Sequence, residues 1–134
     1  MSEMRIALVG LCNALELELV EQANAWSLSI SKPEGLTFNV TVPHDVLEWY
    51  VDATDDSGEI WNDWGEYYSI DGEKREQLSD EMARDIECCV TILVNSEVRI
   101  SHDAKSVKRI ELKSRAGWRV ASLSWMTNPS WMPR

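Results

Sequence analysis

Cysteine is scarce, with only Cys12, Cys88 and Cys89 in a chain of 134 residues. An odd count with one adjacent pair makes no disulfide framework, and Cys88-Cys89 lacks the C-x-x-C spacing of redox and zinc sites. These thiols read as small buried hydrophobes of a protein kept in a reducing compartment. Histidine is scarcer still: His44 and His102 each sit in a loop beside an aspartate, with no nucleophile near in sequence. Long apolar runs are missing, which excludes a membrane span of about 18 residues or more. The run Ile6–Cys12 behind Arg5 is too short for a comfortable signal segment, carries Glu3 ahead of it, and places the large Leu11 before the cysteine. The expectation is a cytoplasmic protein. No G-x-G-x-x-G, phosphate-binding loop or G-x-S-x-G occurs, so nucleotide-cradling and serine-hydrolase chemistry find no support.

Positive charge is also short. Lysine and arginine number 13 against 23 acidic residues, a formal net charge of −10. That field repels nucleic acid and anionic lipid, and neither is expected as a partner. The imbalance is local. Residues 45–87 hold 15 acidic and 3 basic residues, whereas 98–134 hold 2 acidic and 8 basic. An acidic middle of this density selects for a basic partner.

Apolar residues make up 44% of the chain, enough for a core without a metal or disulfide. Leu36, Phe38, Val40 and Val42 alternate with polar residues up to Pro43, a half-buried strand. Lys32-Pro33-Glu34-Gly35 before it is a turn. Trp49, Val51 and Ala53 form another strand, Asp55-Asp56-Ser57-Gly58 its hairpin turn, and Glu59 to Tyr68 the return. Trp61 and Trp64 stand three apart, which breaks strict alternation and implies a bulge or twist. Near the N-terminus Leu15, Leu17 and Leu19 read as a strand over Ala14–Val20, paired with Trp26, Leu28 and Ile30. A helix from Ile6 to Leu19 is the competing reading, with Leu8, Leu11, Cys12, Leu15 and Leu19 on one face. Leu78, Met82, Ile86, Cys89 and Leu93 recur at helical steps behind Asp71-Gly72, with Asn95 as the C-cap. A short strand at Val98–Ile100 and a hairpin of Arg109–Lys113 with Trp118–Trp125 complete the pattern. The expected fold is α+β: an antiparallel sheet of about five to seven strands packed on one long helix, about 73–94, in a single domain over 1–126. The tail 127–134, with two prolines, is expected to be irregular, with Trp131 docking it.

No catalytic residue, metal ligand or cofactor is expected. Asp52, Asp55, Asp56 and Glu59 lack the order of a calcium loop. Asp63 and Glu66 form a carboxylate pair without any sign of the environment that acid–base catalysis needs. The segment from Glu48 to Tyr68 is the informative one. It sets three tryptophans and three tyrosines among seven carboxylates. Alternation forbids burying all the rings, so some stand exposed beside acids, the makeup of a protein-binding hot spot. The candidate partner-binding residues are Asp55, Asp56, Glu59, Trp61, Asp63, Trp64, Glu66 and Tyr67.

Through the EIWNDW step of Trp61 and Trp64, the turn Asp55-Asp56-Ser57-Gly58 and the helix from about Glu73, residues 48–94 resemble the immunity proteins of bacterial polymorphic-toxin and contact-dependent growth inhibition systems. The resemblance implies a cytoplasmic antitoxin that binds and neutralises one cognate toxin domain. It further implies a basic, often nuclease-type toxin, whose nucleic-acid site an acidic surface would cover. The basic C-terminal third departs from a uniformly acidic inhibitor. Two other readings stay open: a small ligand-binding or enzymatic domain with a Trp/Asp-lined cleft, and a homo-oligomeric structural subunit.

Overall fold

The computed structural model describes residues 3–68 and 75–128. The chain opens with helix α1 (Glu3–Leu15), whose Met4, Leu8 and Cys12, spaced four apart, form its buried stripe. Glu16 takes a left-handed conformation (φ 58°), and the Leu17 N–H reaches back to the Cys12 carbonyl at 2.8 Å, closing the helix in a Schellman-type cap. The chain then runs extended into strand β1 (Val20–Glu21), which pairs with β2 (Ala25–Lys32). The strand expected over Ala14–Val20 is therefore corrected. Its first residues belong to the helix, and only Val20 and Glu21 join the sheet.

Strands β2, β3 (Leu36–Pro43), β4 (Glu48–Asp55) and β5 (Gly58–Glu66) form an antiparallel meander with β1 at its edge, in the order β1-β2-β3-β4-β5. The turn before β3 uses positive φ at both Glu34 and Gly35, a conformation that only the glycine adopts at no steric cost. Leu36, Phe38, Val40 and Val42 are buried and the residues between them are half-buried, so one face of β3 meets the core. β4 repeats this with Trp49, Val51 and Ala53. The β4–β5 register shifts between Ala53 and Thr54: Thr54 opposes Glu59 and Ala53 opposes Trp61, leaving Ile60 as a bulge.

Helix α2 (Arg75–Asn95) buries Met82, Ile86, Cys89 and Leu93, with Leu78 half-buried at its start. The expected start at Asp71-Gly72 lies outside the described residues, as do Pro129 to Arg134, including Trp131. Lys32 at the end of β2 donates its ammonium to the carbonyls of Val94 and Ser96, both at 3.0 Å, and so caps the C-terminal end of α2.

Beyond α2 lies a second sheet, β6 (Val98–His102), β7 (Lys108–Ser114) and β8 (Gly117–Val120), in the order β6-β7-β8. It ends in a short helix, α3 (Leu123–Met126), where Ser122 Oγ caps the Ser124 N–H. The α+β class stands, but the single sheet on one long helix does not. There are two antiparallel sheets and three helices among the described residues, and α1 packs beside α2. The strand expected to Trp125 stops at Val120. Three polar contacts tie β5 and its turn to the C-terminal part. Lys108 Nζ lies 3.0 Å from both Asp55 Oδ2 and Ser57 Oγ, and the Leu123 N–H donates to Asp63 Oδ2 at 2.9 Å. One hydrophobic cluster joins the three helices to β2–β5, β6 and β7, with Phe38, Trp49, Ile86 and Leu112 fully buried. Each such side chain contributes roughly 1.5–3 kcal/mol by leaving water. No helix among the described residues is long and apolar enough to cross a membrane.

Candidate functional site

In an antiparallel pair, directly opposed residues share a face. The register therefore sorts the hairpin of β4 and β5 without ambiguity. Trp49, Val51 and Ala53 oppose Gly65, Asp63 and Trp61 on the inner face, and Glu48, Tyr50 and Asp52 oppose Glu66, Trp64 and Asn62 on the outer one.

Three of the eight candidate residues thus point inward and are half-buried. Trp61 packs edge-on against Phe38, with ring centroids 6.4 Å apart. Asp63 holds the first N–H of α3. Tyr67 follows β5, donates its hydroxyl to Asp85 Oδ2 at 2.6 Å and accepts the Trp49 indole N–H at 3.1 Å. Burial, and then the Asp85 carboxylate, push the Tyr67 phenol far up, so it stays a donor at any ordinary pH. Burial likewise raises Asp85 above its usual range, against the lowering effect of the Tyr67 hydrogen bond. This chain from indole to phenol to carboxylate joins β4, the end of β5 and α2.

Asp55 is also committed within the chain. Its carboxylate accepts from the Ser57 hydroxyl and N–H and from Lys108, which together bring its pKa down to about 2. The remaining four, Asp56, Glu59, Trp64 and Glu66, are exposed.

The outward face extends beyond the hairpin. Val20, Ser27, Thr41, Tyr50 and Trp64 lie in one line across the five strands. Ser29, Asn39, Asp52 and Asn62 form the next line, and Ser31, Thr37, Thr54 and Glu59 a third. Ser29 Oγ donates to Asn39 Oδ1 at 2.8 Å and Asn39 Nδ2 to Asp52 Oδ1 at 2.9 Å, a polar ladder along the surface. The outward positions of β2 to β5 hold the carboxylates Glu48, Asp52, Glu59 and Glu66, and neither lysine nor arginine. Tyr50 and Trp64, side by side, are 41% and 54% exposed, unusual for rings of their size. Tyr50 donates to Glu48 Oε2 at 2.5 Å, and Tyr68 donates to Glu66 Oε2. The phenol of Tyr50 is raised by that hydrogen bond first, and Glu66 across the strand adds to the effect.

Tyr50, Glu48, Asp52 and Tyr68 were not among the candidates. Strand parity would have found the first three, because each is separated by an even number of residues from the others on β4.

The other singled-out groups lie elsewhere. His44 packs on Trp26, with centroids 4.2 Å apart, and His102 is exposed at the end of β6. All three cysteines are buried free thiols, and burial raises each of them. Among the described residues, no group of histidine, cysteine and carboxylate side chains converges as metal ligands would. Comparison with protein-family models, with curated proteins and with solved structures finds no match in any of the three.

Proposed function

We propose that this chain acts by binding rather than catalysis. In this reading it is an immunity or inhibitor protein of the cytoplasm that neutralises a basic, nuclease-type toxin domain. The observation that carries this is the open face of the five-stranded sheet. It presents four outward carboxylates without a cation, and an exposed Tyr50–Trp64 pair at one side. Rigid aromatic anchors in a charged surround supply affinity, and the uncompensated field steers a basic partner. Strands of eight residues set side by side make a face of about 27 Å by 19 Å, roughly 500 Å². A standard interface takes about 800 Å² from each partner, so the contact includes the hairpin tip with Asp56. Trp61, Asp63 and Tyr67 support this surface from behind, and Asp55 fixes the turn.

Co-purification from the native lysate, at low and at moderate salt, tests the reading when run on four proteins. They are the wild type, Trp64→Ala, the double reversal Asp52→Lys with Glu66→Lys, and Glu87→Lys on the exposed side of α2. The expected result is one stoichiometric basic protein held by the wild type and by Glu87→Lys and lost from the other two. Its nuclease activity should fall when wild-type chain is added back. A partner retained equally by all four, or an acidic partner, overturns the proposal.

A further inference from the structure

We infer that the side chain this face receives from its partner is arginine rather than lysine, a guanidinium laid on the Tyr50–Trp64 pair with its N–H groups on Glu48 and Glu66. The inference deepens the reading above and rests on it.

The rest of the molecule supplies the argument. Arg99 lies 4.2 Å over the ring of Trp118 and donates to Glu111 at 3.1 Å. Arg119 stands 5.1 Å over the ring of Trp125. Arg5 pairs with Glu21 at 2.6 Å, and Glu21 also accepts the Trp26 indole N–H at 3.3 Å. Two of these sites combine ring, carboxylate and guanidinium, and in all three the arginine comes from the chain itself.

The open face repeats the first two parts. Glu48 and Glu66 oppose each other directly, one step along the same face from Tyr50 and Trp64. Among the described residues no lysine or arginine pairs with either glutamate. Two like charges set opposite each other across strands oppose folding, and a cation between them removes that cost. Each glutamate is steadied through one oxygen, Oε2, by a tyrosine hydroxyl, which leaves Oε1 free to accept. A planar guanidinium can stack on the rings and bridge two carboxylates at once. An ammonium, compact and strongly hydrated, matches only the charge.

Calorimetric titration of the intact chain with octaarginine and with octalysine, at physiological salt, tests this. Octaarginine should bind about fivefold more tightly, the effect of one exposed cation–π contact. Trp64→Leu and the double variant Glu48→Gln with Glu66→Gln should abolish the preference, with circular dichroism unchanged. Tyr50→Phe, which keeps its ring, should retain it. Equal affinities for the two peptides, absence of binding by either, or a preference that survives Trp64→Leu overturns the inference. Equal affinities that both fall in the double glutamine variant would overturn the arginine preference alone and leave the acidic face as a cation-binding surface. Binding untouched by that variant would count against the face itself.

Discussion

Gly65 stands over the indole of Trp49, and a β-carbon at that position would come within 2.5 Å of Nε1. The backbone there is ordinary, so the glycine is required by space alone. Trp49 is fully buried and held by Tyr67, and cannot withdraw. Gly65→Ala should therefore destabilise the fold by about 1–3 kcal/mol, read as a fall in the urea midpoint with an unchanged slope. Tyr67→Phe should cost a similar amount, about 1–3 kcal/mol, because it strands the Trp49 N–H and removes the one hydrogen bond that holds Asp85 down. Asp85 titrates high in the fold, so its contribution favours the native state at low pH and is lost as pH rises through its raised value. Tyr67→Phe should enlarge that loss. Asp55 has the opposite sign. Its folded pKa of about 2 lies below the ordinary 3.8, so its contribution is complete above 3.8 and vanishes as pH falls toward about 2. Asp55→Asn should flatten the acid limb of a stability–pH curve in that window, and an unaltered limb would show that the Ser57 and Lys108 contacts of this carboxylate contribute nothing.

Between β2 and α2 a single ammonium connects elements far apart in sequence. Lys32→Met keeps the aliphatic stem but frees the Val94 and Ser96 carbonyls. The loss should be about 1 kcal/mol, with faster amide exchange confined to the last turn of α2. The elements themselves were legible in the sequence to different degrees. β3 and β4 could be read directly, because each has one face on the core and one in water. Leu15 is where reading of the N-terminal segment divided. Leu8, Cys12 and Leu15 follow the helical period, Leu15, Leu17 and Leu19 follow the strand period, and the left-handed Glu16 marks the change between them. The end of β8 is hard to place from sequence because Ala121, Leu123 and Trp125 alternate with serines as a strand would, while Ser122 already caps a helix. Pairing was the larger loss. Alternation tells which face of a strand is apolar, and nothing in it says that β6 to β8 would form a sheet of their own. In the candidate site, the sequence showed that some rings must face outward, but not which ones. The parity needed to choose between Trp61 and Trp64 had to be counted across an irregular stretch of β5.

Across the whole molecule, charge is arranged by surface. The outer face of the large sheet carries carboxylates alone. The outer face of the small one places Arg99, Arg109 and Lys113 around a single carboxylate, Glu111, which Arg99 pairs at 3.1 Å. The like-charged Glu48–Glu66 pair makes a trade-off measurable. Glu66→Lys should raise stability by about 0.5 kcal/mol at low salt, fading as salt is added, while weakening capture of the basic partner. A variant that lost stability would show that the glutamates are not in conflict in the free protein.

The bulge at Ile60 sets how the length of this hairpin can vary. Glu59 faces outward and Trp61 inward although they are two residues apart, because Ile60 absorbs the extra step. Removing Ile60 would leave plain alternation, with Glu59, Trp61 and Trp64 all on their present sides. Adding one residue at any point from Trp61 to Trp64 would turn Glu66 toward the core. Position 60 is thus the point in β5 where the chain can shorten by one residue and still present the same surface.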